Sequence, residues 1–269
     1  PAALRAAGHD VRVLLPFYPA LRAAFPAAAP LAVVPPATPG LPPALLLGAE
    51  ADGLPLILVD CPALFDRPGN PYLDTHGRDW PDNGLRFGLF SRVAARLGQP
   101  GSPLAWQPDV VNAHDWQSAL APAFLHYEGG AASVVTIHNI AFQGCFAPAL
   151  CATLGLPEAA WRFDGVEYHG QLSFLKAGLQ LATLISTVSP TYAREIRDEA
   201  FGYGLAPLLR HRAGDLRGIL NGIDTALWNP ATDPTLAAPY GAGRLAAKRD
   251  NKAALQAEMG LEPAPDRPL

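Results

Sequence analysis

Residues 109–139, DVVNAHDWQSALAPAFLHYEGGAASVVTIHN, decide the fold. Asp109–Ala113 and Ser133–Ile137 are short, β-branched apolar runs without alternation, and Trp116–Tyr127 between them reads as a helix. The same alternation continues downstream. A helix is expected over Leu172–Ala182, a strand over Leu184–Val188, and a helix over Pro190–Glu199 with Ser189 as its cap and Pro190 in its first turn. Leu216–Leu220 closes the series as a strand. Upstream, Val11–Leu15 and Leu56–Asp60 read as strands and Asn83–Leu97 as a helix, while 26–49 is expected to be an irregular Pro/Ala-rich insert. Apolar strands separated by helices imply an α/β fold, a Rossmann-like, mostly parallel sheet with helices on both faces.

Composition narrows the function. The chain has 269 residues and a formal charge of -4, which leaves no basic footprint for nucleic acid. The charge-free stretches 23–49 and 129–157 carry prolines or polar groups such as His138, Asn139 and Gln143, so neither reads as a membrane helix. Cys61, Cys145 and Cys151 form no CxxC pair, which favours a reduced, cytoplasmic setting. No charged-then-apolar signal peptide opens the chain; it begins at Pro1, inside a helical pattern that ends at Gly8, and is read as a fragment.

Ligands of open parallel sheets bind at the carboxyl ends of the strands. Those ends carry His114-Asp115-Trp116, His138-Asn139, Ser189 and Asn221-Gly222-Ile223-Asp224. Any one of these is more often a cap or turn former; four in series point to a polar site on one edge. There is no G-x-S-x-G elbow and no phosphate-binding G-x-x-x-x-G-K-[ST] loop. Gly202 and Gly204 follow a helix and lack the third glycine of a dinucleotide fingerprint. His114, His138 and His169 match no zinc spacing, so no metal is expected. Tyr72, Trp80, Trp116, Phe142 and Tyr168 lie in or near the inferred loops, where aromatic faces suit sugar rings and equally suit loop packing. Lys176 is expected to be a helix-surface charge and His169 to pack a loop.

Several long motifs, in order, resemble bacterial glycogen synthase and plant starch synthase. They are LRAAGHDVRVLLPFYP (4–19), LFDRPGNPYLD (64–74), NAHDWQSALAPAFL (112–125), VVTIHNIAFQGCF (134–146), YHGQLSFLKAGLQLATLISTVSPTYAREI (168–196), FGYGLAPLL (201–209) and GILNGIDTALWNP (218–230). KRDNKAALQAEMGL (248–261) continues the order. The resemblance implies the N-terminal lobe of a two-domain glycosyltransferase-B fold. Residues 1–220 would form the acceptor-side domain and 221–269 the hinge and start of the nucleotide-sugar domain, the rest of which lies outside the chain. It further implies glucose transfer from ADP-glucose, with retention, to the non-reducing 4-OH of an α-1,4-glucan such as glycogen, with no cofactor, metal, nucleic acid or membrane partner. By motif, His138 and Asp115 are the catalytic positions. Asn221 resembles an asparagine that binds the glucose, and Tyr72, Trp116 and Asn139 match positions lining the acceptor channel. Gln117 stands where many bacterial members have a second histidine. A related enzyme such as sucrose synthase, or a non-catalytic glucan-binding module, is the alternative. With only Lys176, Lys248 and Lys252 as lysines and no phosphate loop, the fragment alone is expected to be inactive.

Overall fold

The apolar runs pair into sheets as soon as their partners are identified. In the computed structural model, which describes residues 1–269, β1 (Val13–Pro16), β2 (Ala29–Val34), β3 (Ala44–Ala51) and β4 (Leu54–Asp60) form a mixed sheet in the order β1-β4-β3-β2. β1 runs parallel to β4, and the other two pairings are antiparallel. A second sheet starts with β5 (Val110–His114) and β6 (Ala132–Ile137), and a small antiparallel sheet of β7 (Cys145–Phe146), β8 (Glu167–Tyr168) and β9 (Gln171–Ser173) follows in the chain. β10 (Leu184–Thr187) and β11 (Leu216–Gly218) complete the second sheet, which is parallel throughout, in the order β11-β10-β6-β5. The chain divides into two compact units, Pro1–Leu220 and Asn221–Leu269. The second unit consists of irregular backbone, a kinked 3-10 turn at Ala242–Ala247 and the helix Lys248–Glu258, whose Asn251 exchanges hydrogen bonds of 2.7 and 2.9 Å with the backbone of Ala238.

The α/β fold is as the sequence implies, with three local corrections. The 26–49 segment is not an irregular insert; it supplies β2 and most of β3. β3 returns into β4 through Asp52-Gly53, both at positive φ (50° and 75°), the conformation of a two-residue hairpin turn. The expected helix Trp116–Tyr127 is two pieces, Asp115–Ser118 and Ala121–Glu128, because Pro122 has no N–H to donate back to Ser118 and its ring crowds that carbonyl. Helix ends shift elsewhere: Leu172 pairs within β9 so the next helix is Phe174–Leu181, Pro190–Glu195 is shorter than expected, and the last strand stops at Gly218.

Burial differs between the two main sheets. In β4, Leu56 and Leu58 face one apolar cluster while Ile57 and Val59 face another, so a run without alternation is buried on both sides. In the parallel sheet the buried side is Ala113, Val135, Ile137 and Ile185, which join residues of the helices Phe174–Leu181 and Pro190–Glu195. The opposite side of that sheet carries exposed Val110, Asn112 and His114 on β5, and half-buried Thr136 and Ser186 on the neighbouring strands. The helices of this chain therefore cover one of its faces, not both as expected, and the other is open and carries a polar row beside exposed Val110 and Leu184. Thr136 Oγ1 joins the strands there, 2.9 Å from Asn112 Oδ1 and 2.7 Å from Ser186 Oγ.

One glycine sets how closely a helix approaches the polar end of this sheet. A Cβ on Gly178 would lie 2.5 Å from the Ala119 carbonyl oxygen and 3.0 Å from Val135 Cγ2. Alanine at 178 gains about 1 kcal/mol of helix propensity, but overpacking against rigid backbone costs about 1–3 kcal/mol. Gly178→Ala is thus expected to lower stability, read as a drop in the urea midpoint.

Candidate functional site

The site is built where β5 and β6 end. His114, the last residue of β5, has its backbone held from both sides by one side chain: its N–H donates to Ser118 Oγ (2.7 Å), and the Ser118 hydroxyl donates to its carbonyl (2.9 Å). The chain then turns sharply, and Asp115 adopts φ 52°, a left-handed conformation that costs a non-glycine residue energy and marks an imposed geometry. The turn brings the Asp115 carboxylate across to β6. Oδ1 accepts the His138 backbone N–H at 2.7 Å and, more weakly, that of Asn139 at 3.4 Å; Oδ2 lies 3.0 Å from His138 Nδ1. A carboxylate only accepts, so Nδ1 carries the proton, and in the neutral imidazole Nε2 is then an acceptor. No protein group bonds Nε2, and the His138 side chain is 43% exposed.

The His114 ring stacks on that of His138, centroids 5.3 Å apart and planes 26° apart. Loss of water around the ring, and secondarily the neighbouring His138, pushes the His114 pKa below the usual histidine value, while part of the residue stays open to solvent. His169 is elsewhere, exposed with Gly170 at the tip of the β8–β9 hairpin and edge-on to Tyr168; it packs no loop, and the three histidines make no metal-holding group.

The aromatic positions divide. Trp116 is half-buried against Phe87 (4.9 Å between centroids), Phe146 and Phe174, so most of its ring serves packing. Tyr72 sits at the outer end of that row, 6.0 Å from Phe87 and 43% exposed. Its loop is held by Asn70 Oδ1, which accepts the Tyr72 N–H, and by Asn83 Nδ2, which donates to the Tyr72 carbonyl. The row Tyr72–Phe87–Trp116 thus ties the 66–82 loop to the residue that follows Asp115. Gln117 is half-buried, with its carbonyl accepting from Ser91 Oγ at 3.4 Å. Asn139 is exposed and uses Oδ1 to accept the Ala141 N–H, closing the turn after His138. Asn221 belongs to the second unit and is exposed in irregular backbone ahead of the Asp224 turn. Ser189 caps its helix as expected, accepting the Tyr192 N–H.

Lys176 is the largest correction. It is buried, not a surface charge: Nζ donates to the carbonyls of Phe163 and Gly165, the latter at 2.8 Å. Burial pulls its pKa down to about 8. Ser118 and His114 are the positions sequence reading undervalued; the Ser at i+4 from a strand-terminal His was the available signal.

Residues 1–211 match the family model described as starch synthase catalytic domain. The whole chain is 75% identical over 269 residues to glycogen synthase of Dechloromonas aromatica, and 51% identical over 276 aligned residues to glycogen synthase of Nitrosomonas europaea; it covers 56% of each. Among solved structures it resembles the catalytic domain of starch synthase IV from Arabidopsis thaliana bound to ADP and acarbose, with a TM-score of 0.74, 28% identity, and coverage of 98% of this chain and 55% of that one. The chain spans about half the length of the curated relatives it matches. The matched region contains the Asp115–His138 pair, the row of aromatics beside it and strands β5, β6 and β10 of the parallel sheet, and the chain belongs to the starch synthase catalytic domain family.

Proposed function

We propose that the polypeptide to which this chain belongs is an ADP-glucose-dependent glycogen synthase, transferring glucose with retention to the 4-OH at the non-reducing end of an α-1,4-glucan. The observation that carries the reading is the Asp115–His138 pair: a strained turn spends energy to hold a carboxylate against an imidazole at the open end of a parallel sheet. His138 is the sugar contact, its Nε2 accepting from a hydroxyl of the transferred glucose. Asp115 fixes that imidazole and puts negative charge beside a reacting sugar that becomes positive as its anomeric bond breaks. Tyr72, Trp116, Gln117 and Asn139 line the approach of the acceptor chain. Neither a metal nor a cofactor is needed.

The departing diphosphate needs cationic groups, and the lysines here are committed elsewhere. Lys176 holds backbone carbonyls, Lys252 donates to the carbonyls of Ala264 (2.6 Å) and Pro265, and Lys248 lies over the Tyr240 ring. We infer that transfer draws on the part of the relatives that this chain does not span. The free thiols of Cys61, Cys145 and Cys151 fit a cytoplasmic enzyme.

The test is a fusion of this chain to the remaining portions of the Dechloromonas aromatica relative, assayed for ADP release with glycogen. The expected result is glucan elongation by the fusion with ADP-glucose, with UDP-glucose competing poorly, and no turnover by the 269-residue chain alone. Glucan binding by the fusion without transfer from any donor sinks the reading.

A further inference from the structure

We propose that His114 is a positioning residue. Its ring is the shelf that keeps the His138 imidazole in the rotamer and tautomer that place Nδ1–H on Asp115 and leave Nε2 free. The inference rests on the reading of His138 as the sugar contact, and adds a residue that acts through it. Three observations carry it.

The first is contact geometry: two imidazoles 5.3 Å apart and within 26° of parallel restrict each other's χ2 rotation. The Asp115 bond alone fixes one point of the His138 ring, and a ring held at one atom still swings; a flat neighbour removes that freedom. The second is position. His114 does not belong to the apolar clusters and is exposed on the polar face of the parallel sheet, two residues along β5 from Asn112. On β6, Thr136 and His138 bear the same relation, and Asn112 bonds Thr136. The pair His114–His138 is the last rung of that ladder, at the strand ends where ligands bind. The third is independence from the fold. The His114 N–H and carbonyl are both satisfied by Ser118 Oγ, so the backbone there does not rely on the imidazole.

The last point makes the experiment clean. Ring nitrogen chemical shifts of the histidine-labelled 269-residue chain report the His138 tautomer directly, with no substrate. In the unaltered chain the Nδ1–H form is expected to dominate. His114→Ala is expected to leave the thermal midpoint within 2 °C or so, yet to move His138 into exchange between tautomers. His114→Phe, which restores a flat face, is expected to return the Nδ1–H form. In the fusion enzyme, His114→Ala should lower kcat about 10-fold, in the range of lost proton and orientation control, with the glucan KM within about twofold, and His114→Phe should recover most of it. An unchanged His138 tautomer in His114→Ala, or a phenylalanine variant no better than alanine, overturns the inference. A shifted tautomer with unchanged transfer leaves the shelf standing and removes His138 from the proposed chemistry instead.

Discussion

Asp115→Asn is expected to leave a folded protein that has lost transfer activity by about 10²- to 10⁴-fold in the fusion enzyme, the scale at which an amide in place of a carboxylate forces the wrong histidine tautomer. Asparagine is nearly the same size, tolerates φ 52° as well as aspartate does, and its Oδ1 still accepts the His138 backbone N–H. The side-chain contact is different. The amide presents N–H₂ toward His138 Nδ1, so the imidazole must place its proton on Nε2 and becomes a donor where an acceptor was held. The local negative charge is lost as well. Stability should fall by about 1 kcal/mol, the ordinary net value of one altered hydrogen bond. Steady-state ADP release and a urea melt on the same preparations separate the two effects. Loss of folding in proportion to loss of activity would show that the turn at Asp115 is structural only.

Lys176 carries the largest expected effect on stability. Its ammonium is the donor for two carbonyls in the 163–165 loop, and Lys176→Ala removes the charge, both hydrogen bonds and the packed aliphatic stem. Truncating the packed stem and leaving two carbonyls without their donor costs about 2–5 kcal/mol, a large share of a marginal folding free energy. The pH dependence has a definite sign. The folded pKa is about 8 against the ordinary lysine value of 10.5, so between those two values the unfolded chain binds more protons than the folded one. Stability therefore rises with pH across that window. The lysine's contribution is complete above pH 10.5 and is lost as pH falls through about 8. The full difference is about 3 kcal/mol for a group this buried. Other side chains also titrate as pH rises, so the comparison is with Lys176→Met, which lacks only this titration. The stability difference, lysine minus methionine, should move toward lysine between about pH 7.5, below the window, and about pH 10, near its upper end. A flat difference would mean that the ammonium is solvated in solution.

Parts of this protein are legible one residue at a time. The β5-turn-helix-β6 order in 109–139, the Ser189 cap and the chemistry-bearing strand ends are local matters, set by apolar periodicity and by side chains that reach their own backbone. The hairpin at Asp52-Gly53 was equally local, since Asp-Gly between two apolar runs favours positive φ at both turn positions. Its signal was masked by the surrounding prolines, which turned out to lie at the ends and outer edge of strands where a missing N–H does no harm.

Three features were decided only by tertiary structure, and for one reason: each depends on what faces a side chain from a distant segment. Lys176 reads as solvent-facing until the 161–168 loop closes over it and offers two carbonyls. The polar face of the parallel sheet is invisible in DVVNA and SVVTI, whose apolar content suits burial on one side or both; pairing of β5, β6 and β10 aligns Asn112, Thr136 and Ser186 into a row. Finally, sequence places histidine at two strand ends, but only the parallel register between β5 and β6 stacks their rings over one carboxylate, because that register matches His114 with Thr136 and carries His138 two residues further along the same face.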